Sequence, residues 1–478
     1  LAGKKKLIQV ITIIPSTKME LSDEQHQALN AFNEQKNVFI TGPGGTGKSE
    51  LIRHLVAEAT KIGRKVQVCA LTGCAAVLLQ CPGAKTLHSW SGIGLGNGDI
   101  HTVVDRVAKN KHKRIAWTDV DVLIVDEVSM MSEKLFRLLD RIGRKTRKRL
   151  DVPFGGIQVV FSGDFYQLPP VGNDDEPETS AFCFESETWN STFDETVVLN
   201  TMFRQTDPKY AKVLNQIRVG MISRRGVRLL EERVGTTCDD ELIKPTILLP
   251  RRREADVINK RELAKLETNE HCFKLAPHWE PVNNGADNRG ADNRGTDNRG
   301  TDNRGAAMFE NVSDEQRERE LKYLSANIMA DSDLVLKEGA QVMCVANVDM
   351  EGPEPLVNGS QGVVVGFENG APLVQFRGGT IRKVVPHLWE SEVIKGIGVK
   401  QIPLIHAWAI TIHKAQGVTL DLAQINAGGS IFECGQTYVA LSRVKSAEGL
   451  FLTELDLRKI KTNKKVKEFY ESLVSQHQ

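Results

Sequence analysis

Several things are scarce in this 478-residue chain. Aromatic residues make up only 6% of it, so extensive stacking on nucleic-acid bases is not advertised. Charge of one sign is not in excess. The formal net charge is +1, and no global positive field would draw the chain onto nucleic acid, so any such binding must come from local basic patches. Long apolar runs are missing too. The longest, "LIQVITII" and "VLIV", fall far short of a bilayer span, so no membrane partner is expected, and no secretory signal is visible. Eight cysteines occur, but no C-x-x-C pair. The nearest group, Cys69, Cys74 and Cys81, has no histidine pair at zinc-finger spacing, which leaves buried free thiols in a reducing, intracellular compartment as the reading. The chain begins at Leu1 rather than Met, so a piece of a longer protein is expected, with any targeting segment upstream.

What is present has an ordinary globular balance, 40% hydrophobic and 26% charged, and the length suits two or three domains. From Asn37 to about Leu199, short apolar runs alternate with amphipathic stretches. "SELIRHLVAEATKI" places Leu51, Ile52, Leu55, Val56, Ala59 and Ile62 on one helical face. "VLIV" has no polar alternation and reads as a strand buried on both faces, as in a parallel sheet. An α/β doubly wound layer follows from that pattern. A second block starts near Phe203 with a strand-like "TILLP". Residues 286–305 read ADNRG, ADNRG, TDNRG, TDNRG; each unit is polar and charge-balanced and lacks an apolar residue able to offset its ordering entropy, so a flexible insert is expected. Over 334–386, "AQVMCVANVD", "GVVVGFENG", "PLVQFRGG" and "IRKVVP" read as short strands joined by glycine-rich turns, a small antiparallel β-barrel. The α/β pattern then returns.

The expected division is an N-terminal extension at 1–20 and a first α/β domain at 21–200 with a small wedge-like insert at about 93–118. A second α/β domain spans 201–333 and 387–478, with the barrel 334–386 inserted in it.

"GPGGTGKS" fits G-x-x-x-x-G-K-[ST] between a strand and a helix. Its residues Gly42, Pro43, Gly44, Gly45, Thr46, Gly47, Lys48 and Ser49 would cradle the phosphates of a nucleotide. Lys48 would reach the β- and γ-phosphates, and Ser49 would ligate Mg²⁺. "VLIVDEVSM" ends a buried strand in Asp126, which would hold Mg²⁺, and Glu127, which would polarise an attacking water. "FSGDFYQLPP" offers Gln167 as a γ-phosphate sensor. Arg204 in "FRQ" and Arg443 in "ALSRV" are candidate stabilisers of charge on a transferred phosphoryl group. The basic stretches "KNKHKR", "RKTRKR" and "KIKTNKKVK" read as solvated faces before they read as sites.

In order along the chain, these motifs resemble the PIF family of superfamily-one DNA helicases, relatives of the RecD helicases. The resemblance runs from about Leu21 to Glu454. It includes "LSDEQHQAL", "LTGCAAVLL" with "TLHSWSGIG", "VNGSQGVVV", "AWAITIHKAQGVTL" and "YVALSRVKS". Its most specific part is "DRIGRKTRKRLDVPFGGIQVVFSGDFYQLPP". The resemblance implies two RecA-like P-loop NTPase domains, ATP and Mg²⁺ as cofactors, and 5′-to-3′ translocation on single-stranded DNA with unwinding of forked or structured duplex. It implies Gln25 as the adenine reader, Gly417 at the nucleotide, and Thr72, His88, His413 and Lys414 as DNA grips. It also implies genome maintenance (DNA repair, recombination, telomere maintenance) in the nucleus or mitochondrion, by a chain that is a monomer when free. Two departures stand out: the pentapeptide insert has no counterpart in the family, and "HKAQG" carries alanine where the family commonly has serine.

Only the first layer carries a phosphate loop, so ATP would sit between the layers, close them, and release them on hydrolysis. A strand-separating pin is expected in "GIGLGNGDIH" or its neighbours. Two other classes fit part of the pattern. A P-loop kinase would use Lys48 and Asp126 similarly but would not explain the distant arginines. An ATP-gated DNA clamp would share every motif and fail only to unwind.

Overall fold

The computed structural model describes residues 21–279, 313–348 and 356–476, apart from positions 95, 97, 174, 239–242, 392, 393 and 395. The expected N-terminal extension and the pentapeptide insert lie outside the described residues.

Helix α1 (Asp23–Asn33) starts at a capping box. Ser22 Oγ accepts the Gln25 N–H at 3.3 Å, and Gln25 Oε1 accepts the Ser22 N–H at 3.0 Å. Strand β1 (Val38–Thr41) runs into the phosphate loop and helix α2 (Lys48–Lys61), which buries Leu51, Ile52, Leu55 and Ala59. Ile62, expected on that face, is instead 70% exposed, because the helix ends at Lys61 and Gly63 turns the chain away at φ +75°.

Strands β2 (Val66–Ala70), β3 (Lys85–Thr86), β4 (Val122–Asp126), β5 (Gln158–Gly163) and β6 (Glu195–Val198) complete a six-stranded sheet in the order β3-β2-β4-β5-β1-β6, parallel at every pairing. Every residue of β1, β4 and β5 is buried, as a strand covered on both faces requires. Strand alternation sorts them into two cores: Phe39, Leu123, Val125 and Phe161 on one face, Val38, Ile40, Ile124 and Val160 on the other. The expected wedge insert contains two helices, Ile100–Lys109 and Lys111–Asp119. Their Val103, Val104, Val107 and Trp117 enter the Phe39-side core, so these helices are fixed to the first layer by ordinary apolar packing.

The second layer is a four-stranded parallel sheet in the order Ala409–Thr411, Thr246–Leu249, Ala423–Ala427, Leu450–Leu455. Its core includes Tyr210, Leu214, Ile410, Ile425, Val439 and Leu452.

Antiparallel strands reach beyond the expected 334–386 at both ends. A five-stranded sheet runs Ile381–Lys383, Ala371–Phe376, Gln361–Glu368, Gln341–Cys344, Leu404–His406. Asp333–Leu336 pairs with His271–Lys274, and Ile397–Gln401 lies between His387–Glu390 and Ala276–Trp279. These outlying strands are three to five residues long, and apart from the neighbouring pair His387–Glu390 and Ile397–Gln401 they find partners far away in sequence, so short runs carry little pattern and most lack a local turn signal.

The last helix, Lys464–Gln476, also departs from the expected division, which gave 387–478 to the second layer. Val466 is fully buried in the first layer's core, and Phe469 stacks on Phe184 at 4.3 Å and meets Phe165 edge-on at 5.5 Å. The chain end therefore returns to the first layer, drawn by an apolar face at i, i+3 and i+4.

Candidate active site

The carboxyl ends of β1, β4 and β5 open on one cleft of roughly 610 Å³, and the second layer forms its opposite wall. The lining includes Gly44, Gly45, Gly47, Lys48 and Ser49 of the phosphate loop, then Asp126, Glu127 and Gln167, and across from them Arg204, Gly417 and Arg443. Eleven of the residues singled out from sequence therefore line one cleft — a meeting that spans nearly the whole chain.

The loop geometry needs its glycines. Gly42 has φ +148° and Gly45 φ +94°; a Cβ at Gly42 would lie 2.4 Å from Leu199 O, and one at Gly45 would lie 2.6 Å from Arg204 Cβ. Lys48 Nζ donates to Gly42 O at 2.8 Å and Pro43 O at 2.9 Å, and Thr46 Oγ1 donates to Pro43 O at 2.9 Å. Burial pushes the Lys48 ammonium down, against the pull of the nearby carboxylates. Gln25 is buried behind the loop, where its Nε2 faces Thr46 O at 3.4 Å and Gly47 O at 3.5 Å. Its Oε1 is already committed to the helix cap.

Asp126 ends β4 with its side chain 3.5 Å from Ser49 Oγ. The pair supplies hard oxygen donors of the kind Mg²⁺ takes. Among the described residues no cluster of three or more His, Cys, Asp or Glu could hold a metal, so a cation here would draw its other ligands from phosphate and water. Glu127 follows with a left-handed backbone, φ +56°, an uncommon conformation for a residue with a side chain. Burial raises the carboxyl pKa of Asp126, and burial together with Asp126 raises that of Glu127.

Cations come from the other side. A methyl group placed on Gly44 would lie 3.6 Å from Nη2 of Arg443, 3.8 Å from Nη1 of Arg204 and 3.7 Å from the Tyr438 hydroxyl. Phe203 and Arg204 also dock by their backbone, both donating to Gly45 O, at 2.8 and 3.3 Å. Arg443 is 2% exposed, and burial, then the neighbouring Arg204, push its guanidinium down to about 9.

Several residues that sequence reasoning missed complete the site. Gln416 Nε2 donates to Glu127 Oε2 at 2.9 Å and lies 3.4 Å from Gln167 Oε1. The Tyr438 hydroxyl accepts the Gly44 N–H at 2.9 Å and sits 3.3 Å from Asp164 Oδ2. Asp164 pairs with Arg218 through bonds of 2.8 to 3.1 Å, and the guanidinium lies over the rings of Tyr166 at 4.5 Å and Tyr470 at 5.2 Å. "GDFYQLPP" and "HKAQG" flagged the neighbourhoods of Asp164 and Gln416, but no spacing says which members face each other. Arg218, on the helix Pro208–Arg218, carries no sequence signal.

The four expected DNA grips lie outside the cleft lining. Thr72 caps the helix Gly73–Leu78, its Oγ1 accepting the Ala75 N–H at 3.2 Å. His88 lines a separate cavity of about 640 Å³ with Lys134, Pro170 and Val171. His413 and Lys414 belong to a turn of the second layer, His413 exposed. Much of "RKTRKR" is structural: Arg144 pairs with Asp140 at 2.8 Å, and Arg147 donates to the carbonyls of Trp117, Thr118 and Val120 at 3.0 to 3.2 Å.

Residues 20–226 match the family model described as PIF1-like helicase, and residues 321–367 match that of the DNA helicase Pif1, 2B domain. The ATP-dependent DNA helicase PIF1 of Emericella nidulans is 34% identical over 511 aligned residues, covering 94% of this chain and 63% of that protein. The ATP-dependent DNA helicase RRM3 of Saccharomyces cerevisiae is 31% identical, with 96% of this chain and 68% of that protein covered. The solved structure of Bacteroides sp Pif1 in complex with ADP-AlF4 is similar at a TM-score of 0.74 and 27% identity, covering 96% of this chain and 98% of that one. The chain thus spans 63% to 68% of these two curated relatives.

Proposed function

Since the chain belongs to the PIF1-like helicase family, we propose that it hydrolyses ATP to move along single-stranded DNA and to open forked or structured duplexes. One observation carries the reading: Arg204 and Arg443 stand beside Gly44 of the phosphate loop, facing Asp126 and Glu127. Neither layer holds a full set of groups for phosphoryl transfer; together they do.

In this scheme Lys48 steadies the β- and γ-phosphates, and Glu127 takes the proton of the water that attacks the γ-phosphorus. The bond to the bridging oxygen breaks and ADP leaves. Gln167 faces the γ-phosphate, and Arg204 and Arg443 bind the charge spread over the phosphoryl oxygens, a role worth roughly 10³–10⁵ in turnover. Ser49 and Asp126 would hold Mg²⁺, which supplies charge neutralisation at the phosphates. Two buried guanidiniums side by side repel, and a polyphosphate arriving between them removes that cost. Nucleotide binding therefore favours the closed arrangement, and product release relaxes it.

Stepping requires each layer to grip the strand in turn. Thr72 and His88 on the first layer, and His413 and Lys414 on the second, are assigned those grips. Phosphate contacts dominate such a hold, so affinity should fall with salt. Each opened base-pair step must be supplied with about 1.4 kcal/mol. We further propose 5′-to-3′ movement, a monomer when free, and work in genome maintenance in the nucleus or mitochondrion; family membership is what supports these.

The test is ATP turnover with and without single-stranded DNA, plus unwinding of forks with 5′ or 3′ tails. Strong stimulation and a product strand from 5′-tailed forks alone are expected. Stimulation without any product would indicate a clamp, and turnover indifferent to DNA would indicate a kinase.

A further inference from the structure

We infer that Gln416 is a positioning residue that ties the strand grip of the second layer to the carboxylate of Glu127. The inference rests on the motor reading above and extends it to how the strand regulates turnover.

Residues 411–417 form a strand end and one compact turn. Thr411 O accepts the Ala415 N–H at 2.9 Å, Thr411 Oγ1 accepts the Lys414 N–H at 3.1 Å, and His413 O accepts the Gln416 N–H at 3.1 Å. Ala415 is fully buried and anchors the turn from beneath. A segment bonded this way moves as one piece. Gln416 lies three positions after His413, yet the two serve different neighbours. His413 is exposed beside Lys414, whereas the Gln416 amide reaches Glu127 Oε2 at 2.9 Å and lies 3.4 Å from Gln167 Oε1.

Glu127 makes this contact consequential. Its left-handed backbone sets where the side chain starts, but the rotation of the carboxylate is set by what bonds it. Among the described residues, Gln416 is the side chain that hydrogen-bonds it. With Oε2 held, Oε1 is left to receive a proton from water. The same turn touches the arginine as well, since Ala415 O accepts from Arg443 Nη1 at 3.4 Å. A strand phosphate pulling on Lys414 therefore shifts, through one rigid turn, the group that orients the base and the carbonyl that orients Arg443. Small shifts of these groups matter, because a misplacement of about 1 Å can cost about 10²-fold in rate.

Gln416→Leu removes the amide at similar bulk, and Gln416→Met gives a second apolar replacement should the first fail to fold. For each, ATP turnover is measured with and without saturating oligo-dT, alongside the KM for ATP and the Kd for the labelled strand. The expected result is a stimulation ratio reduced by roughly tenfold or more, with KM and Kd within about twofold of the parent protein. A merely structural glutamine would change both turnovers alike and leave their ratio intact. A stimulated parent protein with an unaltered ratio in the variants overturns this inference alone. So does a ratio that falls only together with strand affinity, which would make Gln416 part of the grip. A parent protein that DNA does not stimulate overturns the motor reading, and this inference with it.

Discussion

The two parallel sheets of this molecule are built alike and equipped differently. Both present connecting loops to one cleft, the first layer from the carboxyl ends of β1, β4 and β5, the second from the segments that follow Ala409–Thr411 and that lead into Leu450–Leu455. In the first layer those loops carry a phosphate cradle and the acids Asp126 and Glu127; in the second they carry cations and amides, Arg443 and Gln416 among them. Burial then works in opposite directions on the two sides. It drives the carboxyl pKa values up in one layer and the guanidinium values down in the other. The lesson is that the fold supplies a place and the loops supply the chemistry. In the proposed motor, two copies of one architecture would divide a reaction that neither performs alone, and that division would let hydrolysis move them relative to each other.

Substitutions can break that division of labour on either side. Lys48→Ala strikes the cradle itself and should abolish nucleotide binding, turnover and unwinding, read by equilibrium dialysis of ATP and by a fork assay. Arg443→Ala strikes the opposite wall and should lower ATP turnover by roughly 10³–10⁵ while ATP and DNA still bind. Normal turnover in that variant would mean that the second layer does not complete the site. Glu127→Gln leaves both walls charged but removes the base, so turnover should fall by about 10²–10⁴ with ATP affinity retained.

A smaller effect is expected at the joint between the layers. Asp164 is fully buried and Arg218 nearly so, and Arg218→Ala would leave the carboxylate without its cation. Breaking such a pair costs about 3–5 kcal/mol, which urea unfolding should register as a lower midpoint. Deleting 286–305 should change least. The repeated polar pentapeptide offers no apolar surface to any core, so ATP turnover should stay within about twofold of the parent protein. An inactive deletion would refute the spacer reading.

Legibility differed by region for physical reasons. "VLIV" announced a strand covered on both faces because continuous apolar character has no other economical use at that length, and β4 is buried throughout. "GPGGTGKS" announced its loop because φ angles such as +94° at Gly45 exclude most side chains. The antiparallel strands at 271–279 and 387–406 were not legible, since strands of three to five residues carry too few positions to show a period, and those at 271–279 and 404–406 find their partners elsewhere in the chain. The last helix was assigned to the wrong neighbour. Its apolar face of Val466, Phe469 and Tyr470 says that it must be covered, but not by which layer. At the site, the ends of the network were readable and its links were not. Tyr438 was part of a quoted motif, yet its bond to the Gly44 N–H exists only because two layers meet there.

Taken alone, then, the order of residues determined the phosphate loop, the acids behind it, the buried parallel strands and the two distant arginines. The loop and the strands are dictated by local sterics or by unbroken apolar patterning, and the acids and arginines are marked by the motifs in which they stand. Only the tertiary structure decided that Arg204 and Arg443 face Gly44, that Gln416 holds Glu127, and that the final helix returns to the first layer. Those are contacts across hundreds of residues, and a periodicity carries no record of the partner that long-range packing will select.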